Sequence, residues 1–248
     1  MEITPIKLSV LTPPKDDLFS KIKKSKLRLK DGDVIAVSSK VVSIHEGRCV
    51  SVNTTSKDTL AKREADFFLE RKYVPGRNAL HTVMHNVLIR SAGIDESNGN
   101  GYYILWPKNP MRSAAKMRVF LMREYKIKKL GVVIADSIST PLRRGAVGFA
   151  LAWAGIDPLY DYRGEKDLFG RKFKFEQANQ ADALAVAAVL AMGEGSEQTP
   201  LAVIRNAPSH VWRSRHAGRT YRTFNVPMKE DLFAPFLTKV KWKKGKKI

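Results

Sequence analysis

The chain has 248 residues, 44% of them hydrophobic and 27% charged. These proportions are ordinary for a globular protein and exclude a chain that is disordered throughout. The unusual quantity is charge, because 44 basic residues stand against 24 acidic ones, a formal net charge of +20. A positive field of this size attracts nucleic acid, anionic membranes or phosphorylated small molecules, and composition alone does not choose among them.

Cysteine content and the length of hydrophobic runs indicate the cellular compartment of the protein. The single Cys49 can form no internal disulfide, which is typical of a reducing compartment. The longest apolar run, Ala183 to Met192, has ten residues, whereas a membrane-spanning helix needs about 20. The first ten residues lack the features of a signal peptide. We therefore expect a cytoplasmic protein that does not span a membrane.

Helix and strand signals alternate along the chain. The pattern predicts strands at Val34–Val37, Tyr102–Leu105 and Gly131–Ala135, and helices over residues 57–73 and Ser113–Tyr125. Such alternation predicts a mixed α/β fold. A last core helix should start at the N-cap Asn179, run through Ala183–Met192 and end at Gly193. Because that helix is apolar all round, we expect it to be buried.

Three polar spots stand at the ends of predicted elements. They are Asp95, the pair Asp136-Ser137, and Glu194. Carboxylate and hydroxyl oxygens are the ligands that magnesium prefers, and one or two carboxylates with phosphate oxygens suffice. An Asp after a strand is also a common turn former, so spacing alone leaves this open. No P-loop and no G-x-G-x-x-G motif is present.

The positive charge is concentrated at the carboxyl end. Residues 205–248 hold twelve Lys or Arg against two acidic residues, a net of +10, and we separate them as a basic C-terminal extension from a core of residues 1–204. Such a run is typical of a solvated, frayed terminus. Contact with nucleic acid or phosphate, or steering of an anionic substrate, are the alternatives.

Several motifs together carry a resemblance to a known family. In order they are Asp31–Asp33, Ser38–Lys40, Glu46–Arg48, Ala92–Asn98, Asp136–Gly148, Ala154–Ile156, Asp161–Gly164, Asp167–Arg171 and Met192–Gly193. With these the chain resembles, over roughly residues 1–205, the gamma-glutamyl ligases that add glutamate to the precursor of the deazaflavin coenzyme F420. The resemblance implies an intertwined α/β homodimer.

The resemblance also implies a site for GTP and for two divalent ions, magnesium or manganese. The first ion would fall on Asp95 and Asp136, and the second on Ser137 and Glu194. The nucleotide contacts would fall on Ser9, Val10, Leu11, Thr12, Ser39, Lys40, Asn98, Met192, Gly193, Gly195, Ser196, Glu197, Gln198 and Thr199. The implied chemistry is activation of a substrate carboxylate as an acyl phosphate, which the amino group of L-glutamate then attacks.

Three arginines are our own catalytic candidates. We expect Arg143, Arg144 or Arg163 to neutralise the acyl phosphate, because guanidinium groups suit phosphoryl oxygens. The chain departs from the family pattern at Glu194, where the family has Gln, and at Ile44, where it has Lys. Loops that could face the acceptor also differ.

Two alternatives therefore stay open beside ligation to the coenzyme F420 precursor. One is the same chemistry on a folate-like or other acceptor. The other is a non-catalytic module that binds nucleic acid or phosphate through its basic tail. The sequence leaves open the choice between GTP and ATP and the number of glutamates added.

Overall fold

The computed structural model describes residues 1–212 and 224–246. Its helices are α1 (Leu18–Lys23), α2 (Ser39–His45), α3 (Lys57–Glu64), α4 (Pro110–Tyr125), α5 (Gln180–Met192) and α6 (Ala234–Leu237). Its strands are β1 (Glu2–Ile6), β2 (Asp33–Ser38), β3 (Cys49–Ser51), β4 (Phe67–Leu69), β5 (His81–Met84), β6 (Val87–Arg90), β7 (Tyr102–Ile104), β8 (Leu130–Ile138), β9 (Val147–Ala154), β10 (Leu159–Asp161), β11 (Gln177–Asn179), β12 (Leu201–Arg205) and β13 (Lys243–Lys244). The predicted mixed α/β class is confirmed.

The chain forms two compact units built from interleaved segments. The first unit contains Met1–Val10, Phe19–Ser39 and Asn109–Phe224. The second contains Leu11–Leu18, Lys40–Lys108 and Asn225–Ile248. This is a different partition from the core of residues 1–204 and extension of residues 205–248, which stays a prediction.

The first unit is organised around a five-stranded sheet. Its strand order is β1-β12-β2-β8-β9, in which β2 and β8 are parallel and the other neighbours antiparallel. Alternate residues of β2 and β8, such as Val34 and Val133, share one buried cluster with Ala185 and Ala188 of α5. Small alanine side chains let the helix approach the sheet closely, and helix α4 also packs on β8 and β9.

Helix α5 confirms its predicted ends but not its predicted burial. The side chain of Asn179 accepts a hydrogen bond from the Asp182 N–H at 3.0 Å, and Gly193 ends the helix with φ +79°. Complete burial was wrong, because Leu190 is 85% exposed. The sheet covers only the face of α5 that carries Ala181, Ala185, Ala188 and Met192, so the opposite face is exposed to solvent.

The second unit contains a smaller antiparallel sheet, in the order β13-β4-β5-β6, and the separate pair β3-β7. The predicted helix over residues 57–73 was wrong beyond Glu64. Ala65 turns to an extended conformation with ψ 149°, and Phe67–Leu69 then pairs with β5. Phe67, Phe68 and Leu69 are three consecutive large apolar residues. A helix with one buried face would expose part of this run, whereas a strand paired in a sheet accommodates it.

The end of the basic tail joins this sheet. Strand β13 pairs with β4, and the amides of Gly245 and Lys246 donate to the carbonyl oxygens of Asp66 and Lys62 at 3.0 and 3.1 Å. A Cβ atom on Gly245 would overlap the carbonyl oxygen of Ala65, so glycine permits this close approach. The expectation of a frayed terminus was therefore wrong for residues 243–246, because backbone pairing holds them.

Hydropathy along the helices gives one further result. Among the described residues, no helix combines the length and the apolar character needed to cross a membrane.

Candidate active site

The first unit carries Asp136 and Ser137 within β8. The sequence places Asp136 where a strand ends, but β8 continues to Ile138 after a register shift between Ile134 and Ala135. The shift is the kind of irregularity that redirects side chains on a strand. The N–H of Ser137 donates to Asp136 Oδ1 at 2.7 Å, so one carboxylate oxygen is fixed by the backbone of its neighbour.

Ser39 holds the other carboxylate oxygen of Asp136. Its hydroxyl donates to Asp136 Oδ2 at 2.7 Å, and the serine is buried at the start of α2. Ser39 was predicted as a nucleotide contact, and the structure adds a contact with a predicted metal ligand. The two residues are 97 positions apart, so no local motif links them. A carboxylate with both oxygens in short hydrogen bonds has a fixed orientation.

The loop after α5 carries Glu194 and six of the fourteen predicted nucleotide contacts. Glu194 is exposed. The loop is folded on itself, because the N–H of Gly195 donates to Glu197 Oε2 at 2.8 Å and Thr199 Oγ1 donates to Met192 O. The carbonyl oxygen of Gln198 accepts the N–H of Leu8. This last bond fixes the loop beside the segment that follows β1.

The predicted contacts before α1 lie in both units. Ser9 and Val10 belong to the first unit, where Lys21 Nζ lies 3.5 Å from the Ser9 hydroxyl. Leu11 and Thr12 belong to the second unit. Leu11 is buried, whereas Ser9, Val10 and Thr12 are exposed.

The second unit carries Asp95 at the mouth of a tight loop. The backbone groups of Asp95 and Ile104 exchange two hydrogen bonds of 3.0 and 2.8 Å, which close the loop. Inside it, Asp95 Oδ1 accepts the N–H groups of Glu96 and Ser97 at 2.6 and 2.9 Å. The predicted nucleotide contact Asn98 is exposed at the tip with φ +53°.

Lys40 pairs with this carboxylate. Its ammonium group lies 2.6 Å from Asp95 Oδ2 and 3.0 Å from the carbonyl oxygen of Ser97. Burial acts to raise the pKa of Asp95, but the hydrogen bonds and charge of Lys40 and the bonds from Ser97 outweigh it and hold that pKa below its ordinary value. Asp95 is therefore kept ionised, the state in which it can bind a cation.

A buried framework fixes the loop that leads to Asp95. Thr82 is fully buried, and its hydroxyl donates to Ile89 O and accepts the Ala92 N–H at 2.7 Å. Ser91, Ala92 and Gly93 are consecutive residues with φ of +47°, +54° and +69°. Sequence patterns did not find this framework, because two of its three left-handed residues, Ser91 and Ala92, are not glycine.

The three candidate arginines differ in their surroundings. Arg163 forms a two-pronged pair with Asp161, at 2.8 Å from Nε and 2.7 Å from Nη2. That pair raises the pKa of Arg163, through the Asp161 hydrogen bonds and charge. Arg143 and Arg144 are exposed in the loop between β8 and β9. Arg163 is exposed as well, but its guanidinium group is already held by Asp161.

Within each unit the predicted residues form one small constellation. The first unit brings together Ser39, Asp136 and Ser137, and the second brings together Lys40 and Asp95. In the described part of the chain, no three His, Cys, Asp or Glu residues form a group that could hold a metal ion. Ile44 is buried in α2, so this position offers no cation to a phosphate.

Comparisons with known proteins identify the family. The family model for F420-0:gamma-glutamyl ligase matches residues 10–206. A coenzyme F420:L-glutamate ligase of Methanocaldococcus jannaschii is 36% identical over 221 residues, 83% of this chain and 86% of that protein. Relatives of the same name from Methanopyrus kandleri and Methanococcus maripaludis strain C7 are 34% and 32% identical, over 86% and 84% of this chain and 90% and 89% of theirs. The chain belongs to the gamma-glutamyl ligase family, and the resemblance inferred from its motifs is confirmed.

Proposed function

We propose that the protein is a metal- and GTP-dependent ligase that joins L-glutamate through an amide bond to a carboxylate of the coenzyme F420 precursor. Membership of the family and the names of the relatives support the reaction class and the acceptor. The observation that carries the proposal in this chain concerns two carboxylates that were predicted to bind metal ions. Ser39 contacts one of them, Asp136, and the next residue, Lys40, contacts the other, Asp95.

The donor set suits hard divalent cations. Asp95, Asp136 and Glu194 supply carboxylate oxygens and Ser137 a hydroxyl, which are the ligand types of Mg²⁺ and Mn²⁺. Both Asp side chains are oriented in advance by the hydrogen bonds described above. Two such ions would neutralise the phosphate oxygens of the nucleotide and stabilise charge on the attacking and leaving oxygens.

The protein's own residues have distinct tasks in this proposal. Ser39 orients Asp136, and Lys40 keeps Asp95 ionised. Arg143 or Arg144 would offset the charge of the transferred phosphoryl group. Arg163 can do so only if its pair with Asp161 opens.

The proposed reaction has two steps that balance. A carboxylate oxygen of the acceptor displaces GDP from the γ-phosphorus and forms an acyl phosphate. The neutral amino group of L-glutamate then attacks the acyl carbon, phosphate leaves, and the nitrogen loses a proton. We also propose a homodimer on the family resemblance.

The first experiment measures nucleotide binding. GTP is titrated by calorimetry into the full chain with and without Mn²⁺, in about 0.3 M salt so that the Debye length is near 6 Å and loose binding to the basic surface is suppressed. We expect saturable binding that needs Mn²⁺ and is lost in Asp136→Asn, but retained in Asp231→Asn, a control outside the predicted site. ATP is titrated in parallel. Binding that ignores the metal, or survives Asp136→Asn, contradicts the proposed site.

A second experiment identifies the acceptor. Mass spectrometry follows the addition of glutamate to the coenzyme F420 precursor and to a folate in separate reactions. Addition to the deazaflavin supports the proposal. Addition only to the folate retains the ligase chemistry and replaces the acceptor, and no product with either, despite metal-dependent GTP binding, rejects both acceptors.

A further inference from the structure

The ordered end of the basic tail has no task in the proposed reaction. Four lysines and three large apolar residues are exposed there, and we refer to them together as the tail surface: Lys239, Lys241, Lys244, Lys246, Leu232, Phe233 and Phe236. We propose that it binds single-stranded nucleic acid, with the lysines on the phosphates and the phenylalanine rings under the bases. This function goes beyond the ligase reaction and does not depend on it.

The apolar and basic parts of the tail surface belong to one folded stretch of chain. Helix α6 carries Phe236, and the indole Nε1 of Trp242 donates to the carbonyl oxygen of Leu237 at 2.7 Å. This bond folds the segment before β13 back onto the end of α6. Strand β13 is in turn fixed to β4. The lysines and the rings are therefore held on one ordered scaffold, so binding need not order them first.

The four lysines of the tail surface are not bound by the carboxylates near them. The carboxylate of Glu70 already binds Lys62 and Lys243, both at 3.1 Å, and Glu64 is bound by Arg48. Among the described residues, no carboxylate forms an ion pair with the four lysines of the tail surface. Each of them is available to a phosphate.

Protection of a sheet edge does not account for the whole surface. Lysines on an edge strand such as β13 discourage pairing with other chains. Leu232, Phe233 and Phe236, at 88%, 60% and 74% exposure, have no part in that. Exposed large apolar groups that cluster on a surface mark a binding site.

Charge placement favours a nucleic acid over an anionic membrane. Glu230 and Asp231 immediately precede Leu232 and Phe233. Inserting those apolar residues into a bilayer would carry both carboxylates toward headgroups of like charge. A single strand can instead follow the lysines and stack its bases on the rings, a contact available only to bases that are not already paired. Helix α6 has four residues, too short to read a duplex groove.

The test is fluorescence anisotropy with the full chain and a labelled oligouridylate of about 16 nucleotides, the upper range for one small binding fold. Each neutralised phosphate of a single strand contributes about −0.7 to the slope of log K against log salt, so four lysines contribute about −3, or about fifty-fold in affinity between 50 and 200 mM salt. Replacing those four lysines by Gln should remove that part of the slope. Phe233→Ala and Phe236→Ala should each weaken binding at least about fivefold without changing the slope.

The matched control removes four exposed lysines of the first unit. The control residues are Lys24, Lys26, Lys30 and Lys116, each replaced by Gln. It has the same net charge as the quadruple tail variant, so equal slopes in the two variants would show a general field and overturn the proposal. Binding to phosphatidylserine vesicles but not to the oligouridylate would overturn it in favour of a membrane. Ligase activity is measured on the same tail variant, and its retention separates this result from the proposed reaction.

Discussion

The close approach of Gly93 to Trp106 allows a quantitative test of the framework around Asp95. A Cβ atom on Gly93 would overlap the indole ring of Trp106, which is 1% exposed. The ring has little room to move because it is buried, and the main chain of Trp106 is fixed in turn, since its carbonyl oxygen accepts a hydrogen bond from Arg48 Nε at 3.0 Å. Gly93→Ala therefore adds a methyl group to a filled site, at a cost of about 1–3 kcal/mol.

Gly101 provides the matched control for this substitution. It also has a left-handed conformation, φ +82° against +69° for Gly93, but a Cβ atom there meets nothing within 4 Å. Gly101→Ala should cost only the backbone strain, about 1–2 kcal/mol. Gly93→Ala should cost that strain and the overlap together, about 2–5 kcal/mol.

The assay is urea unfolding of each full-length variant, followed by tryptophan fluorescence. With an m-value of about 2–3 kcal/mol/M, the overlap cost of about 1–3 kcal/mol should place the midpoint of Gly93→Ala roughly 0.3–1.5 M below that of Gly101→Ala. Its Mn²⁺ affinity should fall as well, because Gly93 lies two residues before Asp95. Equal midpoints would show that the ring yields to the methyl group, and the reasoning would be refuted.

Three further predictions use other contacts of the described chain. Ser39→Ala should weaken Mn²⁺-dependent GTP binding in calorimetry by about tenfold, since a hydrogen bond to a carboxylate contributes about 1.5–3 kcal/mol. Ser43→Ala should leave GTP binding unchanged, since no partner of the Ser43 hydroxyl is found in the described chain. An equal loss of GTP affinity in the two variants would show that Ser39 does not act through Asp136. Arg205→Met should lower the free energy of unfolding in urea by about 3–5 kcal/mol, because the buried Asp33 would lose its bidentate partner. A loss below about 1 kcal/mol would show that the pair is dispensable. Hydrogen bonds from Lys243 and Lys62 hold the pKa of Glu70 below its ordinary value of 4.5. The ion pair of Glu70 with Lys243, which attaches β13, is therefore fully formed above pH 4.5 and is lost as the pH falls through the lowered pKa. Hydrogen exchange of the β13 amides, compared between wild type and Glu70→Gln after correction for intrinsic rates, should differ above that pH and converge below it; a constant difference would contradict this assignment.

Local sequence signals predicted the elements that depend on local interactions. The caps of α5 follow from Asn179 and Gly193, and the strand at Gly131–Ala135 follows from a continuous apolar run. The failures had non-local causes. The helix over residues 57–73 gives way to β4 because β5 provides hydrogen-bond partners for residues 67–69. Residues 243–246 are ordered because β4 and the segment before it offer them backbone partners.

The candidate site was predictable as a set of residue types but not as a set of contacts. The motifs point to Asp95 and Asp136 as ligands and to Ser39 and Lys40 as nucleotide contacts. Nothing in their spacing shows that Ser39 bonds Asp136 or that Lys40 pairs with Asp95, because those contacts cross 97 and 55 positions of chain. Sequence separation of this size is bridged by the sheet and the closed loop, which only the fold defines.

The strand order β1-β12-β2 has a consequence for synthesis of the protein. Among the residues that the structure describes, β1 pairs only with β12 in its sheet, and β12 begins at Leu201. During translation β1 and β2 therefore emerge with facing edges unfilled, and the gap between them closes only after most of the chain has been made. Such long-range pairing slows folding and leaves strand edges exposed on the nascent chain. A ribosome that stalls before residue 201 would release a sheet that lacks its second strand, a product for cellular quality control to remove.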